Sequence, residues 1–206
     1  MPQATLLASL PVERRLALSY APQTSHGLWL GLFALDARLC SIVRAAREPA
    51  LAQIKLAWWR DELARSGAQR RRGEPLLELL DDWGDHASGL GALADGWELL
   101  LGDAPLGDEE VQAATLARAT ACLALAERLD LPHEGIAAAA RGWALADLAP
   151  ALAQPAATKW PRLRLPREMR PLQVLYGLAA WRRGQLPLIP GPLAALRAVR
   201  LGLLGI

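Results

Sequence analysis

One phenylalanine and two tyrosines in 206 residues, with valine, isoleucine and threonine also scarce, leave this chain little material for β-strands. Alanine, leucine, arginine and glutamate dominate instead, and all four favour helices. The sequence therefore predicts an all-α protein. Hydrophobic residues make up 52% of the chain and charged residues 21%, which excludes a disordered or low-complexity protein. The length suits one domain, 1–206, with a sizeable core.

Apolar spacing predicts where the helices lie. Leu28, Leu32, Leu35, Leu39, Ile42 and Val43 recur at steps of three and four over 26–46. Over 49–65, Leu51, Ile54 and Trp58 form one stripe and Leu56, Trp59 and Leu63 a second, the pattern of a helix buried on a wide face. Pro49 suits its first turn. Arg70–Gly73 reads as a basic loop, followed by a helix with Leu76, Leu77, Leu79 and Leu80 as its core. Gly84, Gly89 and Gly91 punctuate the next stretch, and 92–101 reads as a helix with Leu93, Trp97 and Leu100 inside. Asp108 is expected to start, and cap with its own side chain, a long helix to about Leu129; Pro132 opens another to about Leu148. Pro150, Pro155, Pro161 and Pro166 make 150–170 an irregular basic segment, and 171–206 a short helical tail with helices near 171–182 and 192–203.

The net charge of +2 conceals a segregation. Residues 1–73 carry 11 basic and 5 acidic groups, residues 74–110 no basic and 11 acidic, and residues 159–206 carry 9 basic and 1 acidic. Such blocks either face one another within the fold or steer the protein to an anionic surface. No run of 18 apolar residues is free of charge, so no membrane-spanning helix is expected. The first residues hold no apolar block of signal-peptide length, and Pro2, Pro11 and Glu13 fit a transit peptide poorly. The expected location is the cytoplasm, with room for peripheral contact at the inner face of a membrane.

Common catalytic templates are missing. There is no phosphate-cradling Gly-rich loop with a lysine and no dinucleotide fingerprint. His26, His86 and His133 lie far apart and lack metal-ligand spacing with any cysteine or second histidine. Cys40 and Cys122 read as small core residues, and two cysteines make no disulfide framework. Glu74, Glu78 and Asp82, with Asp81 and Asp85, have i,i+4 spacing that could share a divalent cation, but a solvated acidic face is the simpler reading. Asp95 and Glu98 form an i,i+3 pair, while Asp61 and Glu62 point in different directions. The tryptophans fall at core-like spacing and the acidic block opposes a phosphate backbone, so no nucleic-acid role is expected.

Five segments occur in a telling order: Leu16–Pro22 (LALSYAP), Gly31–Arg47 (GLFALDARLCSIVRAAR), Leu56–Leu63 (LAWWRDEL), Leu93–Leu99 (LADGWEL) and Arg141–Leu148 (RGWALADL). Together they resemble the squalene/phytoene synthase family, and the resemblance implies the all-helical isoprenoid synthase fold, here shortened at its C-terminus. Active members of that family hold magnesium against a prenyl diphosphate with two DxxxD motifs, the metal neutralising charge on the leaving group. Matching Phe33–Ala34–Leu35 to the aromatic segment before the first motif puts Cys40 and Arg44 at its aspartate positions, with Asp36 one turn too early. In the second motif region, Trp143 and Asp147 remain, and no acidic residue follows until Glu168. The resemblance therefore implies degenerate ligand-binding positions at Phe33, Asp36, Cys40, Arg44 and Arg47 and at Trp143 and Asp147, with Trp58, Trp59 and Trp97 as cavity residues, no catalytic residue and no metal ligand.

Two readings follow. In the first, the chain is non-catalytic and needs no cofactor, serving as an isoprenoid- or lipid-binding shell or as an assembly partner, as some mitochondrial relatives of the family lacking the aspartates do for respiratory complex I. Arg44, Arg47 and Lys55 could then hold a diphosphate or anionic lipid directly, or lie on the surface beside acidic groups. Its partner could also be a protein or a membrane surface met by the basic tail. There, Lys159, Arg162, Arg164, Arg167 and Arg170 interleave with Trp160, Leu163 and Leu165, and Leu193, Leu196, Val199, Leu203 and Leu204 lie beside Arg197 and Arg200. In the second reading, the chain is a working prenyltransferase that condenses two prenyl diphosphates with Mg²⁺. A deep apolar cavity favours an isoprenoid ligand; filling by Trp58, Trp59, Trp97 and Trp143 favours a scaffold, and partial filling is expected.

Overall fold

The computed structural model describes residues 2–102, 106–149, 160–183, 188–189 and 191–205. These residues form helices joined by short turns, with no strand among them, as expected of an all-α chain. The helices are α1 (Pro2–Ser9), α2 (Val12–Leu18), α3 (Gln23–Arg44), α4 (Pro49–Ala64), α5 (Pro75–Leu80), α6 (Gly91–Glu98), α7 (Asp108–Arg128), α8 (Ile136–Leu148), α9 (Arg170–Trp181) and α10 (Pro192–Leu204). Helices α6, α7, α8 and α9 each pack on the next, α2 bridges α9 and α3, and α3 packs on α6, which closes a ring of helices around one core.

Helix α3 turns its middle wholly into that core. Every residue from Leu28 to Asp36 is buried, so this stretch has no outward face. Its 22 residues and mean hydropathy of 1.3 would suffice to cross a membrane, yet 56% of that apolar window lies inside the bundle. An all-round apolar helix is what a bundle interior requires. Trp29 of α3 donates its indole N–H to the backbone oxygen of Glu168 at 2.8 Å, and the Ser25 hydroxyl reaches the same oxygen at 3.2 Å. Both bonds tie the short 3₁₀ turn Arg167–Met169 to the core.

Several local expectations are corrected. Short helices α1 and α2 precede α3. In α4, Leu56, Trp59 and Leu63 enter the core, but of the first stripe only Trp58 packs against it, and Leu51 and Ile54 are 54% and 66% exposed. Asp108 does not cap α7: Gly107 occupies the cap position without a side-chain bond, and Asp108 is the first helical residue. Helix α8 begins at Ile136, not Pro132, because Gly135 adopts the left-handed conformation (φ +76°) and sets the turn. The stretch Asp81–Leu90 is 3₁₀ helix bent at Gly84, where φ is +56°. Of the irregular 150–170 segment, 150–159 lies outside the described residues; 160–166 is irregular as expected.

The basic and acidic blocks do meet in part. Arg70 and Arg72 reach Asp81 at 3.1 and 3.2 Å, and Arg38 lies 3.7 Å from Glu74. Glu74 also accepts the Leu76 N–H at the start of α5.

Candidate functional site

Four charged side chains from four helices converge in the bundle interior. Asp36 on α3 is fully buried, and Arg14 on α2 and Arg118 on α7 are 5% and 4% exposed. Arg118 donates from Nη2 to both Asp36 oxygens at 3.2 and 3.0 Å, and from Nη1 to Oδ2 of Asp147 on α8 at 3.1 Å. Arg14 Nη2 lies 2.7 Å from Asp36 Oδ2 and donates to Asp147 Oδ2 at 2.9 Å. Each guanidinium thus bridges both carboxylates. Asp36 and Asp147 thus share one site, with two arginines between them.

Helical spacing explains the delivery. Arg14, Ala17 and Leu18 lie on one face of α2 and all are buried. On α7, Thr115, Arg118, Ala121, Cys122 and Leu125 form the inward face. Both arginines occupy positions where the helical period calls for an apolar residue.

Burial and charge oppose each other here. Burial pushes the Asp36 carboxyl up, but Arg118, then Arg14 and the Trp97 hydrogen bond outweigh it and hold its pKa below the ordinary value. Burial also disfavours the Arg14 charge, which Asp36 and Asp147 more than restore, so its pKa lies above the ordinary value. The quartet is neutral, the condition under which charges survive burial.

Aromatic rings complete the packing. The Trp97 indole donates to Asp36 Oδ1 at 2.8 Å. The Arg118 guanidinium lies 4.5 Å from the Trp143 ring centre and that of Arg14 5.2 Å from it, a cation–π arrangement on both. Phe33 meets Trp143 edge-on at 5.6 Å. Gly96 allows α6 to approach closely enough to place Trp97: a Cβ there would stand 2.5 Å from that of Ala117. The space left beside Asp36, Trp97 and Arg118 is about 10 Å³, room for one water at most.

These residues do not fit a magnesium ion. Such an ion needs several unengaged oxygen ligands, and both Asp36 oxygens and Asp147 Oδ2 already receive guanidinium or indole donors. The fully buried groups left unpaired at this site are of the wrong sign for a cation, since Arg14 Nη1 and Trp143 Nε1 are donors without a partner among the described residues. Among those residues no cluster of three or more His, Cys, Asp or Glu side chains is placed to hold a metal ion.

The other expected site residues separate. Phe33 is core. Cys40 lies one turn beyond Asp36 and is half-buried rather than core; burial pushes its thiol pKa up, and that of fully buried Cys122 is pushed up to about 12. Neither thiol is disposed to act as a nucleophile. Trp58 and Trp59 are not part of the charged site: Trp59 is buried in the core and Trp58 half-buried against it, and they pack edge-on to each other at 5.0 Å and line an open groove of about 630 Å³ between the end of α3 and α4. Arg47 and Lys55 line that groove with Arg38, Glu48 and Glu74, whereas Arg44 is exposed and is not part of its lining. Sequence reasoning missed Arg14 and Arg118; the signal was a charged residue set within an apolar helical stripe. It also missed buried Glu62, which accepts from Arg65 at 2.9 Å and from the Arg71 backbone N–H at 3.0 Å.

No family model, curated protein or solved structure matches this chain.

Proposed function

We propose that this chain is a non-catalytic, squalene/phytoene synthase-like protein whose bundle works as a scaffold, in the manner of an assembly factor. One observation carries the reading: Arg14, Arg118, Trp97 and Trp143 fill the space around Asp36 and Asp147, leaving about 10 Å³. Sites for drug-sized ligands run to about 300–1,000 Å³, so a prenyl chain has no room in this centre. Two cations standing where a metal would be needed also remove the carboxylate assistance that a leaving pyrophosphate requires.

The test is incubation of the purified chain with Mg²⁺ and farnesyl or geranylgeranyl diphosphate. The expected result is no release of pyrophosphate and no shift in melting temperature. Release at an enzyme-like rate would restore the prenyltransferase alternative. A thermal shift without turnover, lost in Lys55→Ala, would return the lipid-binding reading and assign it to the groove beside α4.

A further inference from the structure

Helix α10 carries its apolar residues on two sides. Ala194, Ala198, Leu201 and Gly202 are buried against the bundle. Leu193, Leu196, Leu203 and Leu204 are 64–73% exposed, and Val199 is 38% exposed. At 3.6 residues per turn these five cover an arc of about 140° opposite the buried face. Exposed Arg200 falls within that arc and exposed Arg197 at its edge. Five exposed apolar side chains on 13 residues form a continuous stripe, not scattered surface residues.

The surroundings of the stripe are basic and aromatic. Beside α10 lies a groove of about 630 Å³ whose lining includes Arg162, Arg164, Arg197 and Arg200, with Trp160 and Tyr176. None of the described residues lining it is acidic. The Arg197 guanidinium stands 5.9 Å from the ring of Trp181, itself 41% exposed at the end of α9. Among the described residues no ion pair engages Arg162, Arg164, Arg197 or Arg200.

We propose that this face docks on an anionic lipid bilayer, with α10 lying in the plane of the interface. The leucines would enter the acyl boundary, and the arginines around the groove would take lipid phosphates. Charge decides the occupant. A second copy would bring two arginine-rich faces together, and like-charge contact of that kind is costly. An anionic bilayer answers both the apolar stripe and the positive field, and Trp181 has the amphipathic ring that settles at headgroup level. The proposal is independent of the scaffold reading, because it uses none of the residues of the buried centre.

The experiment is co-sedimentation of the full chain with vesicles of phosphatidylcholine containing 30% phosphatidylglycerol, and with phosphatidylcholine alone, at about 0.1 M salt, where charges interact over roughly 10 Å. Binding is expected on the anionic vesicles and at least about tenfold weaker on the neutral ones, at about a fivefold change per arginine. The double variant Arg197→Gln, Arg200→Gln should bind roughly 30-fold more weakly on that scale. Leu196→Asp with Leu203→Asp should abolish binding with unchanged circular dichroism. The proposal is overturned by absence of binding, by equal binding to both vesicle types, or by binding that ignores the variants. It is also overturned by a dimer in light scattering that Leu196→Asp with Leu203→Asp dissolves, since the stripe would then belong to a second copy.

Discussion

The buried centre and the C-terminal face use the same residue types to opposite effect. In the centre, Arg14 and Arg118 each bridge Asp36 and Asp147, and Trp143 lies against both guanidiniums. On α10 and the groove beside it, arginines stand next to tryptophan and leucine with no carboxylate opposite them among the described residues. The first arrangement is closed: charge is cancelled, and the space left, about 10 Å³, holds one water at most. The second is open on both counts. What arginine beside an aromatic ring does is set by whether the counter-charge lies within the same chain.

The largest effect is expected from breaking the closed region. Asp36→Ala leaves two guanidiniums facing Asp147 alone, and removing one partner of a buried ion pair costs about 3–5 kcal/mol. Urea unfolding should show that loss, and the melting temperature should fall by roughly 10 °C for a chain of this size. Replacing all four charges together (Arg14→Met, Asp36→Leu, Arg118→Met, Asp147→Leu) should cost far less than the single changes added together, because no charge is then stranded. A quadruple variant as unstable as the sum would show that the quartet is not one coupled unit.

Acidification tests the same centre more gently. The Asp36 pKa is lower in the folded protein than in the unfolded chain, so the unfolded state binds more protons between the two values. The contribution of Asp36 is complete above the unfolded carboxyl value of about 4 and is lost as pH falls through the folded value. Unfolding free energies from urea titrations should therefore be level from pH 7 to about 5 and drop below about 4, and Asp36→Asn should flatten that drop. Gly96→Ala is expected to cost about 1–3 kcal/mol by calorimetry, since its methyl group would meet Ala117. The smallest effect belongs to the open region: Leu196→Asp with Leu203→Asp should shift stability by less than about 1 kcal/mol, while abolishing vesicle binding. A large loss of stability there would mean that α10 is held by those leucines and that the contrast between the regions is false.

How much was legible differs by element. The three-and-four spacing places α3 and Pro49 places the start of α4 to within a few residues, whereas α8 starts four residues after Pro132. Asp36 and Asp147 stand out only through the family resemblance, while the helical spacing over 92–101 places Trp97 inside. Helix α4 was misjudged because Leu51, Ile54 and Trp58 have the same period as a core stripe; period reveals a face but not what covers it. Arg14 and Arg118 escaped notice because the pairs they form span 133 and 82 positions, and no local pattern links them.

The sequence by itself determined that the chain is helical and where most of its helices lie, because these follow from backbone propensity and a period of 3.6 residues. Only the tertiary structure decided which charges meet, whether the centre is open or filled, and that the outer stripe of α10 is left uncovered. Those outcomes depend on which helices become neighbours, and electrostatic and packing energies act on distances that chain position does not contain.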